Sequence, residues 1–491
     1  KNNKLIECDW ETALDAASTE LKKINHSNVN ESGCLISPQS TCEELYLFQK
    51  LFKGLNIKNI DHRTKERDFS YQDNFPAMPL FGCNFNMIDS FDNIVLVGVN
   101  IKKEFPILSP RLIKATRKKT KVFSFNFIPS NEDFPVEISL THRPEDLLSI
   151  FMNLLTKNKN ENMQEEIEKI SKNLIPGKKT LVIVGPTISQ LDNQTEFHSI
   201  LSEYSNQNNF TLGFLADQCN STSSWLLGLL PHRNLLGEKT KNIGLNAYEI
   251  IENRLSSYII YNLEPEYDFW NNLSLNKSLE KSKMNIFFST FFTPSIREHA
   301  NILFPIASFA EAGGSYINIE GTYQHFDKII NPDNNVKPGY EILNELLHKN
   351  NLGNYTFQQL KEEIEDKIIN FDASAKIFAH KNLRKTSNQN RSFFKITDRS
   401  IYHIDSLSRR SDSLQMTKHA QNKSIKISKD IIEDTDRREY IEIIDKHKTF
   451  KTNAYDVDNS LPHKTIVYPS TFCQDTLTGM KSGSIDIKTN L

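Results

Sequence analysis

Short, nearly continuous apolar runs recur along the first 350 or so residues and constrain the fold of this chain more than any other feature. The runs are Ile94–Val99, Lys121–Phe125, Thr180–Gly185, Ser257–Leu263 and Asn285–Phe288. A run of this kind is typical of a strand that is buried on both faces of a parallel sheet. Helical patterns lie between several of the runs. We therefore expect an α/β fold with doubly wound, mostly parallel sheets.

Two helices can be predicted near the start of the chain. Glu11–Ile24 carries apolar residues at helical spacing. Thr41-Cys42-Glu43-Glu44 predicts a capping box, in which the Thr41 hydroxyl and the Glu44 carboxylate each satisfy a free backbone N–H group. The helix that follows is expected to end at Gly54, because glycine favours helix termini.

With 491 residues the chain is too long for one ordinary domain. Two α/β lobes joined by a polar helix are expected. After about Ala375 long apolar runs vanish, while Lys, Arg, Ser and Asp dominate, which predicts an irregular tail. The predicted division is a first lobe over 1–155, a linker helix over 156–175, a second lobe over 176–375, a C-terminal element over 376–415 and an irregular tail over 416–491.

Charge and cysteine spacing exclude several classes of protein. The 59 Lys and Arg nearly balance the 61 Asp and Glu, so net charge gives no reason to expect binding to nucleic acid. No apolar run approaches the roughly 18 residues of a membrane span. The six cysteines lie far apart without a Cys-x-x-Cys pair, whereas zinc and iron–sulfur sites need closely spaced thiolates. We expect buried structural thiols and no metal site within this chain.

The best candidate for a phosphate-binding loop follows the first of the apolar runs. Gly98-Val99-Asn100 comes directly after that strand, and Lys102 and Lys103 follow. Ligands of open α/β sheets bind at the carboxyl ends of strands, where Gly98 would let a ligand approach and Asn100 could contact its edge. The alternative is a tight turn from strand to loop, which needs the same glycine. The 17 glycines are about half the usual share, which counts against a large nucleotide cofactor.

Three further sites have a structural and a functional interpretation. Asp61-His62-Arg63 opens a charged cluster in which His62 could act as acid or base against Asp61 or Asp68, but mixed charges more often form ion pairs or a solvated face. His232 could be a ligand or a switch, or it could lie in a structural turn. Gly313-Gly314 predicts a hairpin turn. None of these sites identifies a reaction.

Taken together and in order, segments between about residues 5 and 415 resemble one family. The segments are Ser37–Leu47, Asn59–Arg63, Leu96–Pro106, Ala216–Arg233, Glu264–Asp268, Phe309–Gly321, Lys337–Gly339 and Thr397–Ser411. They are similar to the corresponding stretches of the large, 75-kDa-type iron–sulfur subunit of respiratory complex I, the NADH:quinone oxidoreductase. The resemblance implies a molybdopterin-oxidoreductase fold.

The chain departs from this family and its relatives in two ways. It has no counterpart of the Cys-rich N-terminal third that carries the [2Fe–2S] and [4Fe–4S] clusters, and its start at Lys1 fits a fragment or a subunit split between two chains. Molybdenum enzymes place a Cys, Sec or Ser ligand shortly after the segment that matches Asp61-His62-Arg63, whereas Thr64–Asp68 contains no thiol. The resemblance therefore implies a vestigial pterin-nucleotide loop at Gly98 and Asn100, with no catalytic residue, metal ligand or cofactor in this chain.

The function implied is that of a cluster-free scaffolding half of complex I, which supports electron transfer from NADH through iron–sulfur clusters to quinone. The implied partners are other peripheral-arm subunits, especially the cluster-bearing domain and the flavin subunit. The implied location is peripheral on the inner membrane, at the cytoplasmic face in a bacterium or the matrix face in a mitochondrion. An active pterin- and molybdenum-dependent oxidoreductase of the formate-dehydrogenase type is the alternative, and a free-standing assembly protein is a third possibility.

Overall fold

The structure is a computed structural model that describes residues 5–27, 29–70, 72, 79–156, 165–369, 393–398, 400–421, 424–433, 441–445, 448–453, 455–469 and 482–488. Its α-helices are α1 Trp10–Ser27, α2 Cys42–Gly54, α3 Ile101–Glu104, α4 Ser109–Arg117, α5 Pro144–Thr156, α6 Glu165–Asn173, α7 Gln194–Asn208, α8 Ser221–Leu226, α9 Ala247–Glu252, α10 Asn272–Lys281, α11 Pro294–His299, α12 Phe309–Ala312, α13 Gly339–Lys349, α14 Phe357–Ile369, α15 Asp412–Gln415 and α16 Asp430–Glu433.

The strands alternate with these helices over most of the chain. They are β1 Ser32–Ile36, β2 Ile60–Asp61, β3 Asn93–Val97, β4 Lys121–Asn126, β5 Ile138–Thr141, β6 Thr180–Val184, β7 Thr211–Phe214, β8 Ser257–Tyr261, β9 Met284–Ser289, β10 Ile302–Pro305, β11 Gly314–Ile317, β12 Tyr323–Phe326, β13 Phe393–Asp398, β14 Ile425–Ile427, β15 Ile441–Asp445, β16 Lys448–Thr452, β17 Tyr455–Val457, β18 Thr465–Pro469 and β19 Gly483–Lys488. All five apolar runs in the sequence form strands, so the predicted α/β class is confirmed.

Two compact units make up the chain, and each is assembled from separate stretches of sequence. Unit 1 contains residues 1–66, 75–79 and 216–376, and unit 2 contains residues 67–74, 80–215 and 377–491. The predicted lobes at 1–155 and 176–375 stay a prediction. Helix α6 covers part of the predicted linker, and the central sheet of unit 2 takes strands from both sides of it in the sequence.

The central sheet of unit 1 is parallel, with the strand order β10-β9-β8-β1-β2. The chain runs outward from β1 to β2 on one side and from β8 through β9 to β10 on the other. The point at which the order reverses, between the carboxyl ends of β1 and β8, is the position where open α/β sheets usually bind ligands. We call it the unit 1 switch point; the loop after β1 that leads into α2 lies there.

Apolar burial explains why unit 1 folds around this sheet. Every residue of β1 and β8 is buried, as expected for strands covered by helices on both faces. Helix α1 buries Leu14, Ala17, Leu21 and Ile24, the apolar positions predicted from their spacing. A hairpin is present, because β11 and β12 pair antiparallel, but its turn lies at residues 318–322 and not at Gly313-Gly314, since Gly314 begins β11.

The central sheet of unit 2 repeats the same arrangement with the order β5-β4-β3-β6-β7, again fully parallel. Its core is formed by apolar residues of the strands and of α5, α6 and α7. The order reverses between β3 and β6, and we call the carboxyl ends of these strands the unit 2 switch point. The predicted phosphate loop, Gly98-Val99-Asn100, lies there beside Gly185.

The prediction of an irregular tail over 416–491 is wrong for the residues that the structure describes. Strands β14 to β19 join β13 in a mixed sheet with the order β16-β15-β19-β13-β18-β14-β17. Most of these strands are short and alternate apolar with polar residues, as in Ile425-Lys426-Ile427. The exception is β18, in which the apolar run Ile466–Tyr468 is only three residues long. Their isoleucines nevertheless share one core. Residues 370–392 and 470–481 lie outside the described residues.

In the described parts of the chain, no helix combines the length and the apolar character needed to cross a membrane.

Candidate functional site

The unit 2 switch point is built around a sharp turn at Gly98. Its φ of +65° lies in the left-handed region that favours glycine, and its backbone N–H donates to the Phe125 carbonyl at 2.8 Å. A Cβ atom at Gly98 would lie 3.0 Å from the Ile188 side chain, and one at Gly185 would collide with the Gly98 carbonyl oxygen. The two loops therefore pack backbone against backbone at Gly98, as a tight turn from strand to loop requires.

Side chains of the unit itself occupy the space beside this turn. Ile188 and Phe127 are fully buried against Gly98. The Asn126 amide pairs with both backbone groups of Val99, because its oxygen accepts the N–H at 2.8 Å and its nitrogen donates to the carbonyl at 3.0 Å. The backbone at the crevice is thus satisfied within the chain.

Asn100 caps the short helix α3 through its side-chain oxygen. Its side-chain oxygen accepts the Lys103 N–H at 3.0 Å, and its own N–H donates to the Glu104 carboxylate at 2.9 Å. The next two backbone N–H groups, of Ile101 and Lys102, donate to the two oxygens of Glu132 at 3.2 and 3.0 Å. These are the groups that would face a phosphate, and each has a carboxylate or an amide of the chain as its acceptor.

The lysines of the loop are also neutralised within unit 2. Lys102 forms an ion pair with Asp133 at 2.6 Å, and Lys103 forms one with Asp398 at 2.6 Å. A phosphate placed at this loop would meet carboxylates in place of free donors, so like-charge repulsion would oppose its binding. The residues present do not fit a pterin-nucleotide phosphate.

The unit 1 switch point is closed by a different set of contacts. The predicted capping box is confirmed, because Glu44 accepts the Thr41 N–H at 2.8 Å and Thr41 accepts the Glu44 N–H at 3.3 Å. The second Glu44 oxygen accepts the Tyr261 hydroxyl at 2.7 Å. Burial raises the pKa of Glu44 despite these bonds. Both oxygens of the Glu44 carboxylate therefore take part in structural hydrogen bonds.

Residues far away in the sequence cover this loop. The Asn220 amide donates to the Ser40 carbonyl at 2.7 Å and accepts the Ile317 N–H at 3.1 Å. Glu43, which is completely buried, accepts the N–H and the hydroxyl of Ser315 at 2.9 and 2.7 Å. Three of the segments that carry the family resemblance therefore meet at one place in unit 1. No local pattern signalled these contacts, because the partners are separated by 180 and 272 residues.

The thiol nearest to this loop has no reactive character. Cys42 is buried, and its sulfur lies 3.2 Å from the Ser223 hydroxyl. Burial raises the pKa of Cys42 to about 12, so the group stays a neutral thiol at physiological pH. Metal ligation and nucleophilic attack both need the thiolate.

Asp61 and Arg63 form a buried ion pair in place of a solvated face. The Arg63 guanidinium donates to the two Asp61 oxygens at 2.9 and 2.7 Å, and the Ala247 N–H donates to the same carboxylate at 3.0 Å. Burial alone would raise the pKa of Asp61, but the charge and hydrogen bonds of Arg63 outweigh it and lower the pKa. Asp68, the other candidate partner of His62, instead accepts the Thr195 N–H at 2.8 Å.

His62 and His232 flank one tryptophan. The His62 and His232 rings stand edge-on to Trp225, at 5.8 and 6.3 Å between ring centroids. Burial lowers the pKa of His62 to about 4, and burial together with the charge of Arg63 lowers that of His232 to about 2. Both rings are neutral at physiological pH. A general acid or base needs a pKa near the working pH, and neither ring has one. The two rings therefore have a structural role in the packing around Trp225.

The segment at which related enzymes hold their metal is also tied into the fold. The Thr64 hydroxyl donates to the Asp268 carbonyl at 2.6 Å, and Lys65 forms a buried ion pair with the Asp268 carboxylate at 3.6 Å. Across the residues that the structure describes, no group of three or more His, Cys, Asp or Glu side chains could hold a metal ion.

Comparison with known proteins agrees with the expected family. The model of the molybdopterin oxidoreductase family matches residues 1–349. A subunit of the NADH-quinone oxidoreductase of Rickettsia felis is 22% identical over 351 residues, which cover 70% of this chain and 46% of that protein. The mitochondrial 78 kDa subunit of the NADH-ubiquinone oxidoreductase of Candida albicans is 21% identical over 346 residues, which cover 70% of this chain and 43% of that protein. The predicted resemblance to the large complex I subunit is confirmed, and the chain spans about half the length of such relatives.

A shorter match concerns an enzyme of a different kind. It is 26% identical over 126 residues and covers 25% of this chain and 18% of the F420-dependent formate dehydrogenase 1 subunit alpha of Methanococcus maripaludis.

Solved structures show the same fold at low identity. Acetylene hydratase from Pelobacter acetylenicus superimposes with a TM-score of 0.62 at 12% identity, over 94% of this chain and 82% of that one. This likeness and the match to the family model together confirm the predicted molybdopterin-oxidoreductase-like fold. From the matched family model and the two parallel sheets, the chain belongs to the molybdopterin oxidoreductase family.

Proposed function

We propose that this chain is the cluster-free structural half of the large 75-kDa-type subunit in the peripheral arm of an NADH:quinone oxidoreductase. The match to complex I relatives over 70% of the chain supports this assignment. The observation that carries the structural role is the closure of both switch points by side chains of the chain itself, Asn220 in unit 1 and Glu132 in unit 2. In an active pterin enzyme these positions would be available to a ligand.

Gly98 and Asn100 are, in this proposal, remnants of a pterin-nucleotide loop. Gly98 now serves backbone packing, and Asn100 serves to cap α3. The chain itself binds no cofactor, and the [2Fe–2S] and [4Fe–4S] clusters belong to the N-terminal domain of the family. The chain contributes no catalytic residue and no metal ligand of its own.

The role of such a half is to hold its neighbours in fixed positions. Electron transfer along a series of clusters depends on constant distances, so the body beside the clusters must be rigid. Buried polar contacts such as the Asp61–Arg63 pair restrict unit 1 to one arrangement. The proposed partners are the cluster-bearing domain and the flavin subunit, at the cytoplasmic face of a bacterial membrane or the matrix face of the mitochondrial inner membrane.

A native gel of gently solubilised membranes tests this assignment. The gel is probed for this chain and stained for NADH dehydrogenase activity. We expect the chain to co-migrate with a very large active band and to leave the membrane together with the flavin subunit when a mild chaotrope strips the peripheral arm. Migration as a small species, separate from the flavin subunit, would contradict the assignment.

An active pterin- and molybdenum-dependent oxidoreductase of the formate-dehydrogenase type is the second candidate. The short match to a formate dehydrogenase subunit favours it. It requires bound metal and a pterin nucleotide, and the absence of a thiol between Thr64 and Asp68 argues against the metal ligand. The content of metal and pterin in the purified protein separates the two candidates.

A further inference from the structure

We propose that Glu132 acts as an internal substitute for the phosphate of a ligand at the unit 2 switch point. Its two carboxylate oxygens accept the consecutive backbone N–H groups of Ile101 and Lys102 at 3.2 and 3.0 Å. A bridging anion on successive N–H groups after a strand is the arrangement by which such loops hold phosphate. Here the anion is covalently part of the chain.

The position of Glu132 is fixed by the segment that follows β4. Asn126, the last residue of β4, binds Val99 of the phosphate loop through both atoms of its amide and also donates to the Ser130 hydroxyl at 3.3 Å. The segment from Phe127 to Asp133 contacts the loop near both of its ends, through Phe127 beside Gly98 and through Glu132 and Asp133. Glu132 is carried to the N–H groups by this packing.

Carboxylates of the chain itself pair with the lysines and the backbone donors of the phosphate loop, without a ligand. Glu132 faces the backbone donors, Asp133 neutralises Lys102, and Asp398 neutralises Lys103. Burial raises the pKa of Glu132 in spite of its two backbone bonds. The surrounding packing therefore holds the Glu132 carboxylate at this site, although burial removes part of its hydration and so disfavours its charged form.

This inference deepens the proposed structural role and rests on the same closure of the unit 2 switch point, but it does not rest on the assignment to complex I. A chain outside complex I could still carry an internal substitute for phosphate, and a complex I subunit could still bind a nucleotide here. The native gel tests only the assignment, and the response to added anions tests only Glu132.

The experiment compares the melting temperature of the full chain with and without inorganic pyrophosphate. The variants are Glu132→Ala, Glu132→Gln and the control Glu137→Ala, which removes an exposed carboxylate from the connection between β4 and β5. We expect Glu132→Ala to melt at least about 3 °C lower, since two backbone donors lose a charged acceptor. Glu132→Gln keeps one acceptor and should lie between Glu132→Ala and the unmodified chain.

Added pyrophosphate should raise the melting temperature of Glu132→Ala and leave the unmodified chain and Glu137→Ala unchanged. An equal rise in all three proteins would overturn the proposal, because the loop would then accept an anion with Glu132 in place. Loss of stability in Glu132→Ala without any gain from pyrophosphate would overturn it too, since Glu132 would then be an ordinary loop contact. An unchanged melting temperature in Glu132→Ala would also overturn the proposal.

Discussion

The two switch points occupy equivalent positions in two parallel sheets, yet they are closed in different ways. In unit 1 the contacts come from distant parts of the sequence, 180 residues away for Asn220 with Ser40 and 272 for Ser315 with Glu43. In unit 2 the hydrogen bonds to the backbone of the loop come from nearby, 27 residues away for Asn126 with Val99 and 31 for Glu132 with Ile101. The backbone at the unit 1 switch point is therefore covered by distant segments and that at the unit 2 switch point by neighbouring loops, although the ion pair of Lys103 with Asp398 spans 295 residues.

The residues that close the unit 1 switch point are also more deeply buried than Glu132 at the unit 2 switch point. Glu43, Asn220 and Ser315 are completely buried, whereas Glu132 keeps part of its surface in solvent. A buried polar group that loses its hydrogen-bond partner bears the full free-energy cost of its lost hydration. A partly exposed group can form a hydrogen bond with water instead. The unit 1 switch point should therefore be the more sensitive of the two to substitution.

The largest expected effect comes from breaking the buried ion pair of unit 1. Asp61→Asn should lower the free energy of unfolding by about 3–5 kcal/mol, since it leaves the Arg63 guanidinium buried without its counter-charge. Urea unfolding followed by tryptophan fluorescence measures it, because Trp10, Trp225 and Trp270 all lie in unit 1. The control is Asp15→Asn, whose carboxylate pairs with Lys349 at the surface. It should cost less than about 1 kcal/mol, and similar losses in both variants would contradict the account.

A matched pair of asparagine variants tests the difference between the two switch points directly. Asn220→Ala in unit 1 should cost about 2–3 kcal/mol, and Asn126→Ala in unit 2 about 1–2 kcal/mol. Both variants leave buried backbone groups without partners, but Asn220 is the more completely buried and joins segments that are 180 and 97 residues away, whereas Asn126 contacts a loop 27 residues away. Each amide bonds to backbone at its switch point. Circular dichroism follows unfolding of both variants on one scale. If Asn126→Ala lowers the free energy of unfolding more than Asn220→Ala does, the proposed difference between the two switch points is contradicted.

Mild acid should weaken unit 1 through its buried histidines. The pKa values of about 4 for His62 and about 2 for His232 lie below the roughly 6.5 of an unfolded chain. The unfolded chain therefore binds protons first, so stability is complete above pH 6.5 and falls as the pH drops below it. We expect a loss of about 1 kcal/mol between pH 7 and pH 6 from tryptophan fluorescence. His232→Phe should flatten this dependence, whereas an unchanged slope would exclude His232 as its source.

The smallest effect concerns the backbone contact at Gly98. Gly98→Ala and Gly177→Ala both place a side chain at positive φ, but only Gly98 has neighbours, since nothing lies within 4 Å of a Cβ at Gly177. The excess cost of Gly98→Ala should be about 0.5–1 kcal/mol, from crowding against Ile188. Thermal unfolding measures the difference. Equal costs would mean that the unit 2 switch point has room that the structure does not show.

Local signals in the sequence predicted much of this fold. The apolar runs indicated strands of both central sheets, Thr41 with Glu44 indicated the capping box, and Gly98 indicated the turn. Each of these depends on residues within a few positions of one another, where spacing alone decides geometry. Strands such as β14 and β15 were missed because their apolar residues alternate with charged ones, and β18 was missed because its apolar run is only three residues long.

The closing contacts of the two switch points could not be predicted from local patterns. Glu132 has no spacing that marks it as an acceptor for Ile101 and Lys102, because the intervening strand and turn set its position. Asn220 and Ser315 are ordinary polar residues until the fold brings them to the loop after β1. Asp61 was recognised as part of a charged cluster, but its burial depends on the packing of α9 above it.

The central claim is that both switch points are filled by the chain itself and that it works without a cofactor of its own. Its most direct test is to purify the chain together with its native partners and measure molybdenum, tungsten and oxidised pterin per chain. The account predicts amounts far below one of each per chain, with iron confined to the cluster-bearing partner. One equivalent of metal and pterin that stays with this chain would contradict it and favour an active pterin-dependent oxidoreductase.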